Sequence, residues 1–320
     1  MRTIAEPIIR PDVRAFLDAL ATNPRPLFTD ALMAQIRQLP PEMMASADLP
    51  VGELATIRNL SMPGPGGPIA LRLFDPRARR DPGPVIVFYH GGGFVVGSID
   101  THAALAAEFA RHLDLPVISV EYRLAPEHRW PAAPDDAEAA ARWIAAHGDA
   151  FGRAFTGLIL CGDSAGATLS LVTALALRER PASLPVLLQI PIYPQADLMG
   201  KYPSTEAFRD GFGLESANMD YYRQAYAADV AHWRASPLRA DLAGLPPTFL
   251  VTAALDPLRD GGRAYAAKAI AAGVSTTYRE VPGTIHGFAS YRRTIPSART
   301  DLAGILDVAA VLIAQASAGR

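Results

Sequence analysis

Leu158-Ile159-Leu160-Cys161-Gly162-Asp163-Ser164-Ala165-Gly166-Ala167 is the stretch on which the reading of this chain turns. A short run of large aliphatic residues, the composition of a buried strand, stops at a Gly-x-Ser-x-Gly turn. An alanine- and leucine-rich segment of helical spacing follows, from Ala165 to about Arg180. A strand that turns this sharply into a helix brings backbone against backbone at positions 162 and 166, where a Cβ would clash and glycine does not. Such a turn holds Ser164 in a strained conformation at the helix N-terminus, hydroxyl outward. Free N–H groups and the positive end of the helix dipole favour negative charge developing there. Ser164 is the candidate nucleophile.

Outward from this turn, strand and helix alternate from residue 84 to the end, which predicts a mostly parallel sheet covered on both faces. Pro84–His90, Val117–Tyr122, Gly157–Cys161, Val186–Tyr193, Thr248–Leu255 and Thr276–Val281 read as strands. Helical patterns cover Thr101–Leu113, Asp135–Ala150, Arg259–Ala272 and Arg299–Ala314. Ala55–Met62 and Ile69–Phe74 flank a Pro- and Gly-rich connection and predict an antiparallel hairpin, which makes eight strands in all. Two segments stand outside the alternation. Residues 1–50 carry two amphipathic patterns, with Val13, Phe16, Leu17 and Leu20 on one and Leu32, Ile36 and Leu39 on the other. Residues 195–240 interrupt the sheet with a helical Asn218–Ala227 that bears Tyr221, Tyr222 and Tyr226. The expected organisation is an N-terminal helical cap segment (1–50), then a catalytic domain (51–320) with a cap insertion (195–240). The apolar faces of both outlying pieces are expected to roof the site together.

Of the 320 residues, 50% are hydrophobic and 19% charged, ample for a large core. The net charge of −2 shows no basic excess, so nucleic acid is not expected as a partner. Cys161 is the single cysteine, which excludes an intrachain disulfide, and its apolar surroundings make it a core residue. Met1–Pro7 lacks the apolar core of a signal peptide. Leu302–Ala314, the most apolar late stretch, reads as too short to span a bilayer and contains Asp307. A soluble cytoplasmic protein without stable membrane insertion is expected. No His, Cys and carboxylate run has metal-ligand spacing, so no metal is expected.

His90-Gly91-Gly92-Gly93-Phe94 directly follows the strand 84–89. Three consecutive glycines cost backbone entropy and mark a place where the main chain itself approaches a ligand. Bare N–H groups there can face an oxyanion formed by attack on a carbonyl. His90 reads as a loop-ordering residue, not a base. Asp256 ends the strand 248–255, and His286 lies just past the strand 276–281. Parallel strands present their C-terminal ends on one edge, so Ser164, Asp256 and His286 are expected to converge there in the order a triad on such a sheet needs. Asp256 followed by Pro257 also reads as a helix N-cap, and Asp260, a turn into that helix, is the rival acid. His102, His112 and His147 read as surface residues of amphipathic helices.

With these pieces in register, the chain resembles the hormone-sensitive-lipase-like family of bacterial esterases of the α/β-hydrolase fold. The resemblance rests on the 90–94 loop, on Tyr122–Glu127 with Pro131–Asp136, on Gly162–Gly166, on Asp256–Asp260 and on His286–Phe288. It implies a Ser164 nucleophile, a His286 general base and an Asp256 orienting acid. It further implies an oxyanion hole from the N–H groups of Gly92, Gly93 and Ala165, a cap from both outlying segments, no cofactor, and hydrolysis of short-chain acyl esters through an acyl-enzyme. An amidase or peptidase using the same triad, or a silent ligand receptor on the same fold, are the alternatives; retention of His286 argues against the receptor. The oligomeric state is left open, with a homodimer as one option. The chain departs from the family at Ala167, where glycine is usual, and at Gly261, where glutamate is usual; neither is a catalytic position.

Overall fold

The hairpin strands β1 (Thr56–Gly64) and β2 (Gly67–Asp75) pair antiparallel through the turn at Pro65-Gly66. Beyond them β3 (Gly83–Tyr89), β4 (Val117–Val120), β5 (Phe155–Asp163), β6 (Val186–Ile192), β7 (Thr248–Leu255) and β8 (Thr276–Ile285) complete one eight-stranded sheet. Its order in this computed structural model is β1-β2-β4-β3-β5-β6-β7-β8, and every pairing from β4 onward through β3 to β8 is parallel. The structure describes residues 7–24 and 26–318; residues 1–6, read above for an export signal, lie outside that range.

Neighbouring side chains on a strand point to opposite faces, and both faces here are buried. Val85, Val87, Leu158 and Leu160 join one hydrophobic cluster, whereas Ile86, Phe88, Ile159 and Cys161 join the other. The first face is covered by α5 (Ala132–Ala146), α6 (Ala165–Glu179) and α9 (Arg259–Ala271). The second is covered by α4 (Ala103–Leu113) and α10 (Ser297–Ala318).

Among the element boundaries that differ from expectation, three stand out. The segment expected to be helical over 135–150 instead gives α5 from Ala132 to Ala146, then a 3-10 turn at Gly148–Phe151. Prolines are tolerated in a first helical turn, and Gly148 ends the regular run. β8 continues to Ile285, because after a register shift Ile285 pairs with Leu255. α10 runs Ser297–Ala318, beyond the expected Arg299–Ala314, and is by length and composition alone long and apolar enough to cross a membrane, where the stretch 302–314 read as too short. Its stripe of Leu302, Ile305, Leu306, Ala309 and Ile313 packs into the second cluster, as a helix seated on one face of a sheet does.

The N-terminal segment forms α1 (Pro11–Thr22), α2 (Asp30–Ile36) and α3 (Pro41–Met44); the insertion forms α7 (Pro203–Ala207) and α8 (Ser216–Tyr226). Val13, Phe16, Leu17 and Leu20 pack into the second cluster, with Phe16 5.1 Å from the Tyr291 ring, rather than against the tyrosines of α8. The α1–α2 connection meets those tyrosines instead. Phe28 lies 5.5 Å from Tyr222 and 6.1 Å from Tyr221, its N–H donates to Asn218 Oδ1, and the Tyr221 hydroxyl donates to Asp30.

Candidate active site

The turn after β5 adopts the conformation its glycines allow. Ser164 has φ 53° and ψ −118°, a strained position for a residue with a side chain. A Cβ at Gly162 would lie 2.5 Å from the Gly166 carbonyl, and one at Gly166 would overlap the Tyr89 carbonyl. The Ser164 N–H donates to Ile192 O (2.9 Å), which fastens the turn to the end of β6.

Register brings the other two side chains to the same edge. Leu255 and Ile285 are cross-strand partners, so Asp256 and His286, each the next residue, leave β7 and β8 side by side. Asp256 Oδ2 lies 2.7 Å from His286 Nδ1, and His286 Nε2 lies 2.8 Å from Ser164 Oγ. A carboxylate only accepts, so Nδ1 carries the proton and Nε2 is left to accept from the hydroxyl. The other oxygen of Asp256 accepts from Leu258 N (2.8 Å). The helix itself begins only at Arg259, so Asp256 closes a turn before the helix, and Pro257 is not the first helical residue. Asp260 faces away: it accepts from Ser204 N on α7 (2.9 Å) and pairs with Arg259 and Arg263. The Tyr193 ring, which the sequence reading passed over, packs 4.7 Å from the His286 ring.

Gly92, Gly93 and Ala165 stand where the loop after β3 meets the start of α6. Gly92 and Gly93 have φ 121° and 62°, and a Cβ at Gly93 would lie 2.6 Å from the Tyr222 ring. The main chain is thus covered directly by α8, and Tyr226 stacks on Phe94 with centroids 4.0 Å apart. Ala165 opens α6, where first-turn N–H groups have no partner within the helix. Gly93, Ser164 and Ala165 line one pocket with Leu198, Leu214, Met219, Tyr222, Tyr226 and Leu258. Its empty volume, the solvent mouth included, is about 550 Å3. The wall is apolar, and the charged side chain on it is Arg223, paired with Asp220.

Beneath this loop lies a buried polar cluster. His90 stacks on Tyr122 (4.3 Å), its Nδ1 faces Gly91 O at 2.8 Å, and burial holds its pKa down to about 3. Such a histidine is neutral and is bonded within its own loop, which suits a loop-ordering part. Asp163 accepts from Gly91 N (2.9 Å) and sits 3.5 Å from His102 Nε2. His102 is therefore not the surface residue expected: it occupies the N-cap of α4, ahead of the helix body, and its side chain is only 13% exposed. Burial pushes its pKa down, but Asp163, with Asp48 and Glu121 behind it, pushes it up by more in sum, so the imidazole lies above its ordinary value. Asp163 in turn is lowered: burial raises it, and His102, with smaller pulls from His90 and His286, outweighs that in sum. A helical-spacing reading of 101–113 could not distinguish a capping residue from one on the helix face. Among the described residues no group of three or more His, Cys, Asp or Glu side chains is placed to hold a metal ion.

A parallel sheet with a serine turn after a central strand, and a histidine and an aspartate at the ends of the last two, defines the class as an α/β hydrolase. The chain belongs to the α/β-hydrolase fold family, whose model matches residues 86–290, and the kinship is with the hormone-sensitive-lipase-like branch its motifs indicated. The carboxylesterase NlhH of Mycobacterium tuberculosis is 36% identical over 312 residues, covering 92% of this chain and 93% of that protein. An ester hydrolase from the metagenome of Lake Arreo, solved with a bipyridine phosphonate derivative, superposes with a TM-score of 0.86 at 36% identity, covering 96% and 99% of the two chains. The hyperthermophilic esterase of the archaeon Pyrobaculum calidifontis superposes with a TM-score of 0.87 at 33% identity, covering 97% and 99%. The chain is an enzyme, a carboxylic ester hydrolase.

Proposed function

We propose that this enzyme hydrolyses short-chain acyl esters through a Ser164–His286–Asp256 triad and an acyl-enzyme intermediate. The observation that carries the reading is the His286 ring bridging Ser164 Oγ and Asp256 Oδ2 at 2.8 and 2.7 Å. A serine hydroxyl is a poor nucleophile, so His286 Nε2 takes its proton as Oγ bonds to the ester carbonyl carbon. Asp256 holds the tautomer and stabilises the imidazolium. The tetrahedral oxygen develops negative charge, for which the N–H groups of Gly92, Gly93 and Ala165 are the donors. Each such donor contributes about 10²–10³ in turnover. Collapse expels the alcohol, which receives the proton from Nε2. Water then attacks the acyl-enzyme with His286 again as base, releasing the acid and restoring Ser164.

Residues 1–50 and 195–240 act as the cap of this site. Met219, Tyr222 and Tyr226 of α8 wall the pocket, and Phe28 and Asp30 of the N-terminal segment hold α8 from the side. A closed apolar wall excludes water from the oxyanion contacts and limits acyl length. The partner this requires is a small ester, and the compartment we assign is the cytoplasm, which suits the single, buried, free Cys161. An organophosphonate that reacts with activated serines should add one equivalent of mass at Ser164 and abolish hydrolysis of a chromogenic butyrate ester. Label at another residue, or full activity after stoichiometric labelling at Ser164, would overturn the assignment.

A further inference from the structure

The polar cluster under the glycine loop contains charged groups that the hydrolytic steps above do not use. Asp163 immediately precedes Ser164, is nearly sealed from solvent, and accepts the N–H of Gly91 at 2.9 Å. Gly91 is the residue before Gly92 and Gly93. One carboxylate therefore ties the serine turn to the loop that faces it. A buried carboxylate needs a compensating charge, and the nearest is His102, whose Nε2 lies 3.5 Å from Asp163 Oδ1.

The contacts around the ring accommodate a charged His102. The Thr101 hydroxyl donates to Ser98 O (3.1 Å), so its oxygen is left to accept, from Ser98 N (2.8 Å) and from His102 Nδ1 (2.9 Å). With the hydroxyl proton on Ser98 O, Nδ1 is the donor and bears a proton. Nε2 faces a carboxylate that can only accept, so it bears one too. The remaining groups around the ring are Asp48 from the N-terminal segment and Glu121 after β4, both acidic, and the His90 ring 5.5 Å away. Asp48 is itself matched by Arg292 in a bidentate pair (2.6 and 2.7 Å).

We infer that His102 is a positioning residue for ester hydrolysis: as an imidazolium paired with Asp163, it holds the carboxylate that anchors Gly91, and through Gly91 the N–H groups of Gly92 and Gly93. The inference rests on the proposed oxyanion role of those glycines. It has two physical parts. An unanchored triple-glycine loop samples many conformations, and misplaced donors lose transition-state contact while ground-state binding is little affected. An unneutralised carboxylate next to Ser164 would also oppose the negative charge that develops on the substrate oxygen.

Kinetics on a chromogenic butyrate ester, normalised to phosphonate-titrated Ser164, test this with His102→Gln, His102→Phe, Asp163→Asn and the double variant His102→Gln/Asp163→Asn. His102→Phe should lower kcat per titrated site by about 10- to 100-fold with KM changed by less than about 3-fold. The double variant replaces an ion pair by a neutral hydrogen-bonded pair. It should therefore turn over faster than the product of the two single losses, because no buried charge is left unpaired. Single variants within about twofold of the unmodified enzyme, or losses that simply multiply, would overturn the inference. If the unmodified enzyme is not labelled at Ser164, the triad reading itself fails; if it is labelled and the His102 variants keep full kcat, only the positioning role fails. Should the variants not fold, the 15N spectrum of the histidines in the unmodified protein decides. His102 must show both ring nitrogens protonated at pH 7, and a neutral ring there removes the basis of the inference.

Discussion

His286 and the buried His90 have different fates because of what each ring nitrogen meets. His286 touches a carboxylate on one side and the serine hydroxyl on the other, whereas His90 touches a backbone carbonyl and leaves Nε2 without a hydrogen bond, 4.0 Å from Glu121. His286→Ala should lower kcat by about 10⁴-fold or more. His90→Gln should cost far less and should leave phosphonate labelling of Ser164 intact; steady-state rates with site titration separate the two. The pH dependence of stability is a second consequence. The folded protein binds a proton at His90 only below about pH 3, whereas an unfolded histidine binds one near pH 6.5. Between these values the unfolded state holds the extra proton, so this contribution to stability is complete above about pH 6.5 and is lost as pH falls toward 3. Its full size is on the order of 5 kcal/mol. Urea unfolding at pH 8, 6, 5 and 4 should show a decline that is shallower by about one proton in His90→Gln. An equal slope in both proteins would contradict the neutral-histidine account.

At the level of elements, α8 couples access to chemistry, because the helix that walls the pocket also lies on the glycine loop. Tyr222 covers Gly93 and Tyr226 stacks on Phe94, a residue that itself has φ 63°. Arg37, the C-cap of α2, braces the same loop from the N-terminal segment through Val95 O (2.9 Å from Nε), with Ala125 O and Glu127 also bonded. An acyl series on the unmodified enzyme should therefore favour chains of about C2 to C8, without a jump in rate above the substrate's solubility limit. Tyr222→Ala should shift the optimum to longer chains and lower kcat on acetate esters by about tenfold, since it opens the wall and unpacks the loop together. A maximum at C14 or beyond in the unmodified enzyme would mean a different lid and a lipase-type substrate.

Over the whole molecule, the N-terminal segment is tied to the far end of the chain. Arg10 bonds Asp301 and the Pro282 carbonyl, and the Arg293 and Thr294 N–H groups donate to Ala47 O. Arg292 forks onto Asp48 with both side chains at most 4% exposed. This pair closes the loop that follows His286, so stability and site geometry are linked there. Removing one partner of a buried ion pair leaves the other uncompensated. Arg292→Met should destabilise the protein by about 3–5 kcal/mol, and Arg292→Met/Asp48→Leu should recover a large part of that loss. Equilibrium denaturation of both variants checks this; a double variant no more stable than the single would show that packing, not charge, holds the loop.

What the linear sequence determined is local and topological. Large aliphatics ending at Gly162 required a buried strand, Gly166 required close backbone approach, and strand–helix alternation put Ser164, Asp256 and His286 at the carboxyl ends of parallel strands. Periodicity and glycine sterics act over a few residues and are visible without the fold. Only tertiary structure decided the rest. The register that sets Asp256 beside His286 depends on a shift between β7 and β8 that no residue announces. Likewise Phe28, not the apolar face of α1, meets the tyrosines of α8. His102 reads as a residue on a surface helix until β5 delivers Asp163 to it, since a side chain's charge and burial are set by neighbours 60 residues away in sequence rather than by its own pattern.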